Sequence, residues 1–209
     1  MGLLVTFEGG EGVGKTTQTQ LLIERLTSAG HPVVGLREPG GTPLGDYLRE
    51  WLKASDRPLT PEAELFLFTA ARAELVRTQV QPALDDGKIM VLDRYADSTT
   101  AYQGYGRRLP LALVRSANAL ATGGLQPDLV VLLDAPPRVA LERTLARAGE
   151  EADRRFEDAD LAFHRRVRAG FKRLARRGAD RWLVVDATAS ADAIAEAVWA
   201  RVSTLLAER

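Results

Sequence analysis

Apolar residues recur along the chain in two patterns that alternate with each other. Five short runs are nearly unbroken stretches of aliphatic and aromatic residues, at 2–8, 32–36, 88–93, 128–134 and 181–186. Such runs are typical of parallel strands that are covered on both faces. Between them, apolar positions repeat with a helical period of 3.6 residues, notably at 16–28, 62–84, 137–147, 159–176 and 191–206. The alternation predicts one α/β domain over residues 1–209, a doubly wound parallel sheet whose ligands bind beyond the carboxyl ends of its strands.

Composition limits the partners that we expect. The 209 residues carry 28 Lys and Arg against 28 Asp and Glu, with no Cys. A balanced charge provides no overall field for nucleic acid or an anionic membrane, and the absence of Cys excludes thiolate nucleophiles and Cys-bound metals. There is no basic N-terminal segment followed by an apolar stretch, and no apolar run approaches about 18 residues. We expect a cytoplasmic protein that binds neither nucleic acid nor membrane, and we interpret the basic run at 165–181 as a solvated helix face.

The glycine-rich stretch FEGGEGVGKTTQ, residues 7–18, contains the clearest chemical motif. Gly9, four further residues and then Gly14-Lys15-Thr16 match the phosphate-binding pattern G-x-x-x-x-G-K-[ST], between a predicted strand and a predicted helix. Glycines let backbone N–H groups turn toward a phosphate, while Lys15 reaches the β- and γ-phosphates and Thr16 offers an oxygen to Mg²⁺. We expect Lys15 to be exposed and to contribute little to the core. The only Asn, Asn118, precedes Ala119 and forms no N-K-x-D motif, which counts against a GTPase.

Three further arginines, Arg37, Arg72 and Arg94, are expected near the same edge of the sheet. Arg94 follows Asp93 at the end of the third predicted strand, where a carboxylate usually meets the Mg²⁺ shell and a guanidinium can bind a phosphate. The alternative is an internal salt bridge between the two. Phe68 and Arg72 share one helix face, which suits a nucleotide base, although a phenylalanine such as Phe68, taken alone, is more often a core residue. The arginines favour a second phosphate, and therefore phosphoryl transfer between two nucleotides.

Taken together, these motifs resemble those of the bacterial type of thymidylate kinase. That family belongs to the P-loop nucleoside monophosphate kinases. The shared stretches keep their order and spacing over nearly the whole chain: FEGGEGVGKTTQ, REPGGT, FLFTAAR, DRYADSTTAYQG, DRRFE and FHRRVRAGF. The most specific of them is DRY-x-x-S-x-x-AYQ. The resemblance implies a three-layer P-loop NTPase fold, with helices on both faces of a five-stranded parallel sheet, and a homodimer. It also implies ATP- and Mg²⁺-dependent phosphorylation of dTMP to dTDP in dTTP biosynthesis.

The resemblance further implies roles for individual residues. ATP is expected on the glycine-rich loop and the following helix start: Gly9, Gly10, Glu11, Gly12, Val13, Gly14, Lys15, Thr16 and Thr17. Arg143 and the turn at 186–190 are expected near its adenine. Mg²⁺ is assigned to Thr16, with Asp93 in its outer shell. dTMP is assigned to Glu38, Pro39, Phe68, Arg72, Arg94, Thr99, Tyr102 and Gln103. In that set thymine stacks on Phe68, Thr99 and Gln103 meet its polar edge, and Tyr102 stands where a ribose 2′-hydroxyl would protrude.

The highly charged segment at 146–160, ARAGEEADRRFEDAD, contains almost no large apolar residue. By composition it is a surface loop, and by the resemblance it is a lid. Some family members carry an arginine in the P-loop, whereas others leave an acid there and supply the charge from the lid. Glu11 together with Arg147, Arg154 and Arg155 resembles the second kind. DRRFE has two arginines where one is expected, and we favour Arg155 because it directly precedes Phe-Glu. With Lys15 and Arg94, these arginines complete the expected catalytic set.

Two alternatives to a thymidylate kinase remain at this point. The first is a kinase for another nucleoside monophosphate, and the second is a nucleotide-binding regulator without catalytic activity. A substrate panel separates the first alternative from a thymidylate kinase, and an ADP-release assay that responds to the acceptor excludes the second.

Overall fold

The computed structural model describes residues 2–54, 59–147 and 161–208. Five strands form one parallel sheet: β1 Leu3–Gly9, β2 Val33–Arg37, β3 Ile89–Asp93, β4 Leu129–Asp134 and β5 Trp182–Asp186. Their order in the sheet is β2-β3-β1-β4-β5, and every neighbouring pair is parallel. The five predicted runs are confirmed, each to within one residue.

Helices connect the strands and cover both faces of the sheet. The described helices are α1 Lys15–Ser28, α2 Pro43–Ala54, α3 Pro61–Leu75, α4 Gln81–Asp85, α5 Ala96–Thr99, α6 Leu111–Thr122, α7 Pro137–Arg147, α8 Leu161–Arg177 and α9 Ala191–Ala207. Two π-helical segments, Val76–Val80 and Thr100–Gly106, extend α3 and α5. The predicted helical stretch at 62–84 is therefore α3, a π-helical turn and α4 in succession.

Three of these helices were not among the predicted stretches: the four-residue α5 and the two longer helices α2 and α6. The two longer ones have a feature in common. Both are amphipathic, so the helical period was present in their sequences and was overlooked. In α2, Tyr47 is 72% exposed while Leu48 and Leu52 are buried; in α6, Leu120 is 82% exposed while Val114 is buried.

The core lies in two layers, one on each side of the sheet. On one side Val5 and Phe7 of β1 pack with residues of α1 and α9, such as Leu26 and Val198. On the other side, Leu4 belongs to a cluster with α3, α4 and β3, and a further cluster joins β4 to α8. The three-layer architecture is confirmed. Within the described residues, no helix combines the length and apolar content needed to cross a membrane.

The parallel arrangement brings the carboxyl ends of the strands to one edge of the sheet. β1 ends at Gly9, β2 at Arg37 and β3 at Asp93. β3 lies between β1 and β2, and its last residue, Asp93, is in register with Phe7 of β1 and Arg37 of β2. The segments that follow these three strands contain most of the candidate site residues. The fold therefore gathers them without any long excursion of the chain.

Candidate active site

A cavity of about 230 Å³ opens beyond the carboxyl ends of β1, β2 and β3. Its walls contain residues from both predicted nucleotide sites: Glu11, Gly12, Gly14, Lys15, Thr16, Thr17, Arg37, Glu38, Pro39, Phe68, Arg72, Asp93, Arg94, Thr99, Tyr102 and Gln103. The sequence did not point to Arg49, which also lines the cavity and donates a hydrogen bond to the Pro39 carbonyl oxygen, 2.7 Å away. Arg49 lies on α2, a helix that the apolar pattern had not indicated.

The glycine-rich loop wraps around the ammonium group of Lys15. Gly9, Gly12 and Gly14 have φ values of 139°, 69° and 93°, a region that favours glycine. A Cβ at Gly9 would lie 2.5 Å from the Leu133 carbonyl oxygen, so β4 leaves no room for a side chain there. Lys15 Nζ donates to the carbonyl oxygens of Gly9 and Gly10, at 3.3 and 2.6 Å.

Lys15 is buried, contrary to the expectation that it would be exposed. Its burial lowers the pKa of the ammonium group to about 8, and the neighbouring positive charge of Arg94 lowers the pKa in the same direction. A cation that is shielded from water attracts an anion more strongly than a solvated one.

Thr16 and Asp93 lie against each other at the start of α1 and the end of β3. Thr16 Oγ1 donates to Asp93 Oδ2 across 2.7 Å. One hydroxyl and one carboxylate fit Mg²⁺, which normally takes one or two protein oxygens and completes its shell with phosphates and water. Within the described residues no group of three or more His, Cys, Asp and Glu side chains is suited to hold a metal ion. The pair therefore fits a metal that arrives with a nucleotide.

Arg94 has Glu11 of the glycine-rich loop as its ion-pair partner. Arg94 Nη2 lies 2.5 Å from Glu11 Oε1, while Nη1 donates to Ser98 Oγ and to the Gly9 carbonyl oxygen. The sequence had left open a salt bridge between Asp93 and Arg94. Among the described residues, Arg94 forms its ion pair with Glu11 instead. Arg94 has φ 75°, a strained value for this residue type, which aims its guanidinium into the cavity.

The electrostatics of this pair follow from its enclosure. Burial raises the pKa of Glu11, but Arg94 and Lys15 outweigh that effect and hold it near 2. Burial also lowers the pKa of Arg94, but Glu11 outweighs it and the net change is upward. Both groups are therefore charged throughout the physiological pH range, and the acid of the loop is neutralised by the arginine of the DRY sequence.

Glu8 anchors the segment that carries Arg94, and sequence reasoning missed it. Its side chain is fully buried at the end of β1, where Oε1 accepts from the backbone N–H groups of Tyr95 and Ser98 and Oε2 accepts from the Ser98 hydroxyl. Burial, followed by the negative charge of Asp97, raises the pKa of Glu8 to about 8. An acid inside an otherwise apolar strand was the available signal.

Tyr102 is held in the same cluster through its hydroxyl group. Its Oη donates to Glu11 Oε1 across 2.8 Å, and its ring lies 5.0 Å from the Arg94 guanidinium carbon. Phe163 and Phe171 of α8 contact the ring edge to face. The hydroxyl thus links the loop to the DRY segment, in addition to any steric role of the ring.

Arg72 is almost fully buried, with 2% exposure, and lies at the far end of the cavity. Its Nε and Nη2 donate to Glu38 Oε2, Nη1 donates to Thr99 Oγ1 and Asn118 Oδ1, and Nη2 also donates to the Tyr95 carbonyl oxygen. These contacts engage all five N–H bonds of a guanidinium. Asn118, noted in the sequence only because it forms no GTPase motif, is one of these buried partners.

Phe68 combines the two roles that the sequence left open. It lines the cavity, and it also packs against a small apolar cluster of Leu48, Leu52 and Ala71 between α2 and α3. Its ring is half-buried. One face of this side chain is therefore available to a ligand while the remainder contributes to packing.

The predicted adenine contacts lie near each other, one within α7 and the other directly after β5. Arg143 Nη1 donates to the carbonyl oxygen of Ala187, 2.6 Å away, in the turn at 186–190. That turn is closed by Asp186, which accepts from the backbone and hydroxyl of Thr188. Arg147 ends α7, but its side chain, Arg154 and Arg155 lie outside the described residues, so the lid prediction stays a prediction.

Comparison with known proteins agrees with this geometry. The sequence profile of the family described as thymidylate kinase matches residues 7–198. The thymidylate kinase of Thermomicrobium roseum is 51% identical over 206 residues, covering 99% of this chain and 97% of the relative. That of Deinococcus radiodurans is 50% identical, covering 97% of each chain. The crystal structure of thymidylate kinase from Ehrlichia chaffeensis superposes with a TM-score of 0.73 at 34% identity, over 88% of this chain and 92% of that one. The chain therefore belongs to the thymidylate kinase family.

Proposed function

We propose that this chain transfers the γ-phosphoryl group of ATP to dTMP and releases dTDP and ADP, a step in dTTP biosynthesis. The observation that carries the proposal is a single cavity that joins Lys15 and Thr16 of the glycine-rich loop to Arg94 and Phe68. A phosphoryl donor and a nucleotide acceptor have to meet within one enclosed space, because the reaction requires their phosphates in line.

We assign the triphosphate of ATP to the loop at 9–17 and its adenine to the region of Arg143. The backbone N–H groups and the buried ammonium of Lys15 bind the β- and γ-phosphates, and the N-terminus of α1 adds its dipole. Thr16 and Asp93 would hold Mg²⁺, which would neutralise charge on the phosphates.

We assign dTMP to the opposite part of the cavity. Its base stacks on Phe68 with its polar edge toward Thr99, Gln103 and Arg72, while Tyr102 faces the sugar. Arg94, held by Ser98, and the Glu38-Pro39 turn organise the acceptor phosphate. In support, these side chains line the same cavity and Arg94 is a fixed, permanently charged donor.

The reaction requires that the two phosphates are aligned and that their charge is stabilised, and it does not require a general base. Phosphoryl transfer passes through a loose transition state with its charge spread over the equatorial oxygens. Lys15 on the donor side and Arg94 on the acceptor side bring positive charge to the phosphates from two directions. Their burial strengthens that attraction because water is excluded.

A lid arginine completes the proposed catalytic set, since the loop itself carries the acid Glu11. Arg155→Ala should lower kcat by about 10² or more, because an arginine of this kind contributes about 10³ to 10⁵ in related reactions and Arg154 or Arg147 partly substitutes for it. The KM values for ATP and dTMP should change little. If Arg154→Ala shows the loss instead, the neighbour is the catalytic residue; full activity in the double variant contradicts the assignment.

We also propose that the chain works as a homodimer. Phe66 of α3 and Leu113 and Leu120 of α6 are 67%, 61% and 82% exposed, and the two helices pack side by side. Large exposed apolar side chains on adjacent helices are typical of an interface with another copy. Sedimentation velocity over a concentration series tests this, and a monomer at all concentrations contradicts it.

An ADP-release assay tests the reaction itself. With ATP and Mg²⁺ present, we expect ADP production to depend on dTMP and to respond weakly to UMP, CMP, AMP or GMP. A stronger response to another acceptor indicates a different nucleoside monophosphate kinase. A rate that does not respond to any acceptor indicates a nucleotide-binding regulator and contradicts the proposal. The reaction without acceptor is the control for simple ATP hydrolysis.

A further inference from the structure

We propose that Glu8, a fully buried acid, is a positioning residue that directs the hydroxyl proton of Ser98 into the cavity, toward the phosphate of the acceptor nucleotide. The inference rests on the proposed function, since it concerns the phosphate of dTMP in that site. Glu8 does not line the cavity and needs no contact with the nucleotide. It acts through Ser98, which lies against it and does line the cavity.

The hydroxyl group of Ser98 lies between an acid and a base. Ser98 Oγ is 2.5 Å from Glu8 Oε2, and it accepts from Arg94 Nη1 across 3.0 Å. A guanidinium only donates, so Arg94 leaves the proton of the Ser98 hydroxyl unused. In the described part of the chain, Glu8 is the acceptor that the structure offers this proton. The proton is therefore directed either to Glu8 or into the cavity.

The protonation state of Glu8 decides between these two directions. Glu8 Oε1 accepts from the backbone N–H groups of Tyr95 and Ser98, so a proton on the carboxyl group sits on Oε2, facing the Ser98 hydroxyl. A neutral Glu8 donates to Ser98 Oγ and leaves the Ser98 proton for a ligand in the cavity. An ionised Glu8 accepts from Ser98, and the cavity loses a donor. The separation of the two oxygens suits a hydrogen bond in either direction.

The surroundings of Glu8 favour the neutral form. Its side chain has 0% exposure, and in the sheet it is in register with the apolar Leu132 of β4. Arg94 attracts the carboxylate, but its ion pair is with the glycine-rich loop, and Lys15 at the start of α1 also interacts with Glu8. Burial, reinforced by the negative charge of Asp97, outweighs these cations and raises the pKa of Glu8 to about 8. At neutral pH the Ser98 hydroxyl is therefore a donor to the cavity.

A phosphate monoester is the group that such a donor suits. Above about pH 7 the phosphate of dTMP is a dianion and only accepts hydrogen bonds. Ser98 and Arg94 belong to the same short segment after β3, and both line the cavity. The serine thus adds a neutral donor beside the charged one, and a hydrogen bond to a charged group is stronger than one between neutral groups.

The test measures how much the Ser98 hydroxyl contributes to dTMP binding at two pH values. The measured quantity is the dissociation constant for dTMP of Ser98→Ala divided by that of its parent, from calorimetric titration without ATP. At about pH 7 we expect a ratio of about tenfold or more, the effect of one hydrogen bond to a charged group. At about pH 9.5 Glu8 is ionised and already takes the Ser98 proton, so the ratio should fall to about threefold or less.

Glu8→Gln provides a second background in which the direction of the hydrogen bond is fixed. The amide accepts from the backbone through Oε1 and donates to Ser98 through Nε2, so it imitates the neutral acid at every pH. In this background Ser98→Ala should raise the dissociation constant by about tenfold or more at both pH values. The pKa of Lys15 is also about 8, but its titration affects each variant and its parent alike and cancels in the ratio.

Two controls assign the effect to the phosphate. Thymidine lacks the phosphate, so Ser98→Ala should change its dissociation constant by less than about twofold. Ser203→Ala, on α9, removes a hydroxyl that donates to the Ala200 carbonyl oxygen and does not line the cavity. It should leave dTMP binding unchanged at both pH values. Equal loss of affinity for thymidine and dTMP in Ser98→Ala shows that the serine acts through the shape of the site, and overturns the proposal.

A ratio in the wild-type background that is the same at both pH values overturns the role of Glu8. This comparison alone tests the proposal if Glu8→Gln does not fold. A ratio near one at about pH 7 overturns it as well, because Ser98 then donates nothing to the nucleotide. Each of these outcomes leaves the kinase assignment intact, since dTMP is still bound and phosphorylated. A wild-type protein that neither binds nor phosphorylates dTMP instead overturns the proposed function.

Discussion

Single residues of this site combine charge with burial, and Lys15 is the clearest case. A buried ammonium is unfavourable unless its N–H groups are engaged, and here the carbonyl oxygens of Gly9 and Gly10 accept from it. The protein tolerates this arrangement because the buried cation attracts an anion strongly. Function, and not packing, accounts for the position of this side chain.

Lys15→Ala should lower kcat by about 10² or more, because the variant loses the charge that binds the transferring phosphate. The melting temperature should change little, since the loss of two hydrogen bonds is offset by relief of the desolvated charge. Rates from the ADP-release assay and thermal melts followed by circular dichroism check both expectations. Lys88→Ala, at an exposed lysine paired with Asp86, is the matched control. Near-normal turnover with an intact fold would contradict the role of Lys15.

Phe68→Ala should weaken dTMP binding by roughly 1 to 3 kcal/mol if the ring stacks on the base. It should also lower the melting temperature, because part of the ring packs against Leu48 and Leu52. Leu67→Ala is the matched control, since Leu67 belongs to the same apolar cluster but does not line the cavity. Calorimetric titration and thermal melts on the same samples decide the matter. Equal loss of dTMP affinity in both variants would show that Phe68 acts through packing alone.

At the scale of elements, the packing of α8 against the π-helical segment Thr100–Gly106 positions the acceptor side of the site. Gly170 is one point of close approach, where a Cβ would lie 2.6 Å from the Tyr105 ring. The same segment carries Tyr102 and Gln103, and Tyr102 is in turn held by Phe163 and Phe171 of α8. The glycine is thus needed for a close approach of two elements and not for its own backbone angle.

Gly170→Ala should lower the free energy of unfolding by about 1 to 3 kcal/mol, because the added methyl group forces α8 away from Tyr105. The displacement should raise the KM for dTMP several-fold and leave the KM for ATP nearly unchanged, since the glycine-rich loop lies on other elements. Urea denaturation and steady-state kinetics measure the two effects. Ala169→Ser, at the exposed neighbouring position, is the control. Unchanged stability would mean that the helix contact accommodates the methyl group without strain.

At the scale of the whole molecule, Glu8 links the central strand to stability across the pH range. Its pKa is about 8 in the folded protein and near the ordinary value of 4.5 when the chain is unfolded. Between these values the folded state holds the proton that the unfolded state has lost, so stability falls as pH rises through this window. Above about pH 8 the carboxyl is ionised in both states and its contribution is constant.

Glu8→Gln should flatten this dependence, because the amide keeps an acceptor for the N–H groups of Tyr95 and Ser98 and does not ionise. We expect the wild-type protein to lose roughly 1 to 4 kcal/mol more stability than the variant between pH 5 and pH 9. Urea denaturation of both proteins at several pH values measures the difference between their free energies of unfolding. The contributions of all other titrating groups cancel in this difference. Parallel curves would show that Glu8 is ionised in the folded protein throughout.

The sequence by itself determined where the strands lie and where the phosphate loop begins. Buried parallel strands are continuous apolar runs, and the loop needs glycines, a lysine and a threonine at fixed spacing, so both are local features that a linear pattern records. The gathering of Arg37 and Arg94 at one cavity also followed, because all carboxyl ends of a parallel sheet meet at one edge. Arg72 lines the same cavity from α3, whose face was expected to turn toward that edge.

Only the tertiary structure decided which partner each polar group has. Arg94 pairs with Glu11 across 83 residues of sequence, and Arg72 with Asn118 across 46. Such pairs depend on strand order and on how α3 and α6 pack, which no local period encodes. The raised pKa of Glu8 and the burial of Lys15 have the same origin. Both depend on how completely the surrounding elements exclude water, and this is decided only when the helices pack against the two faces of the sheet.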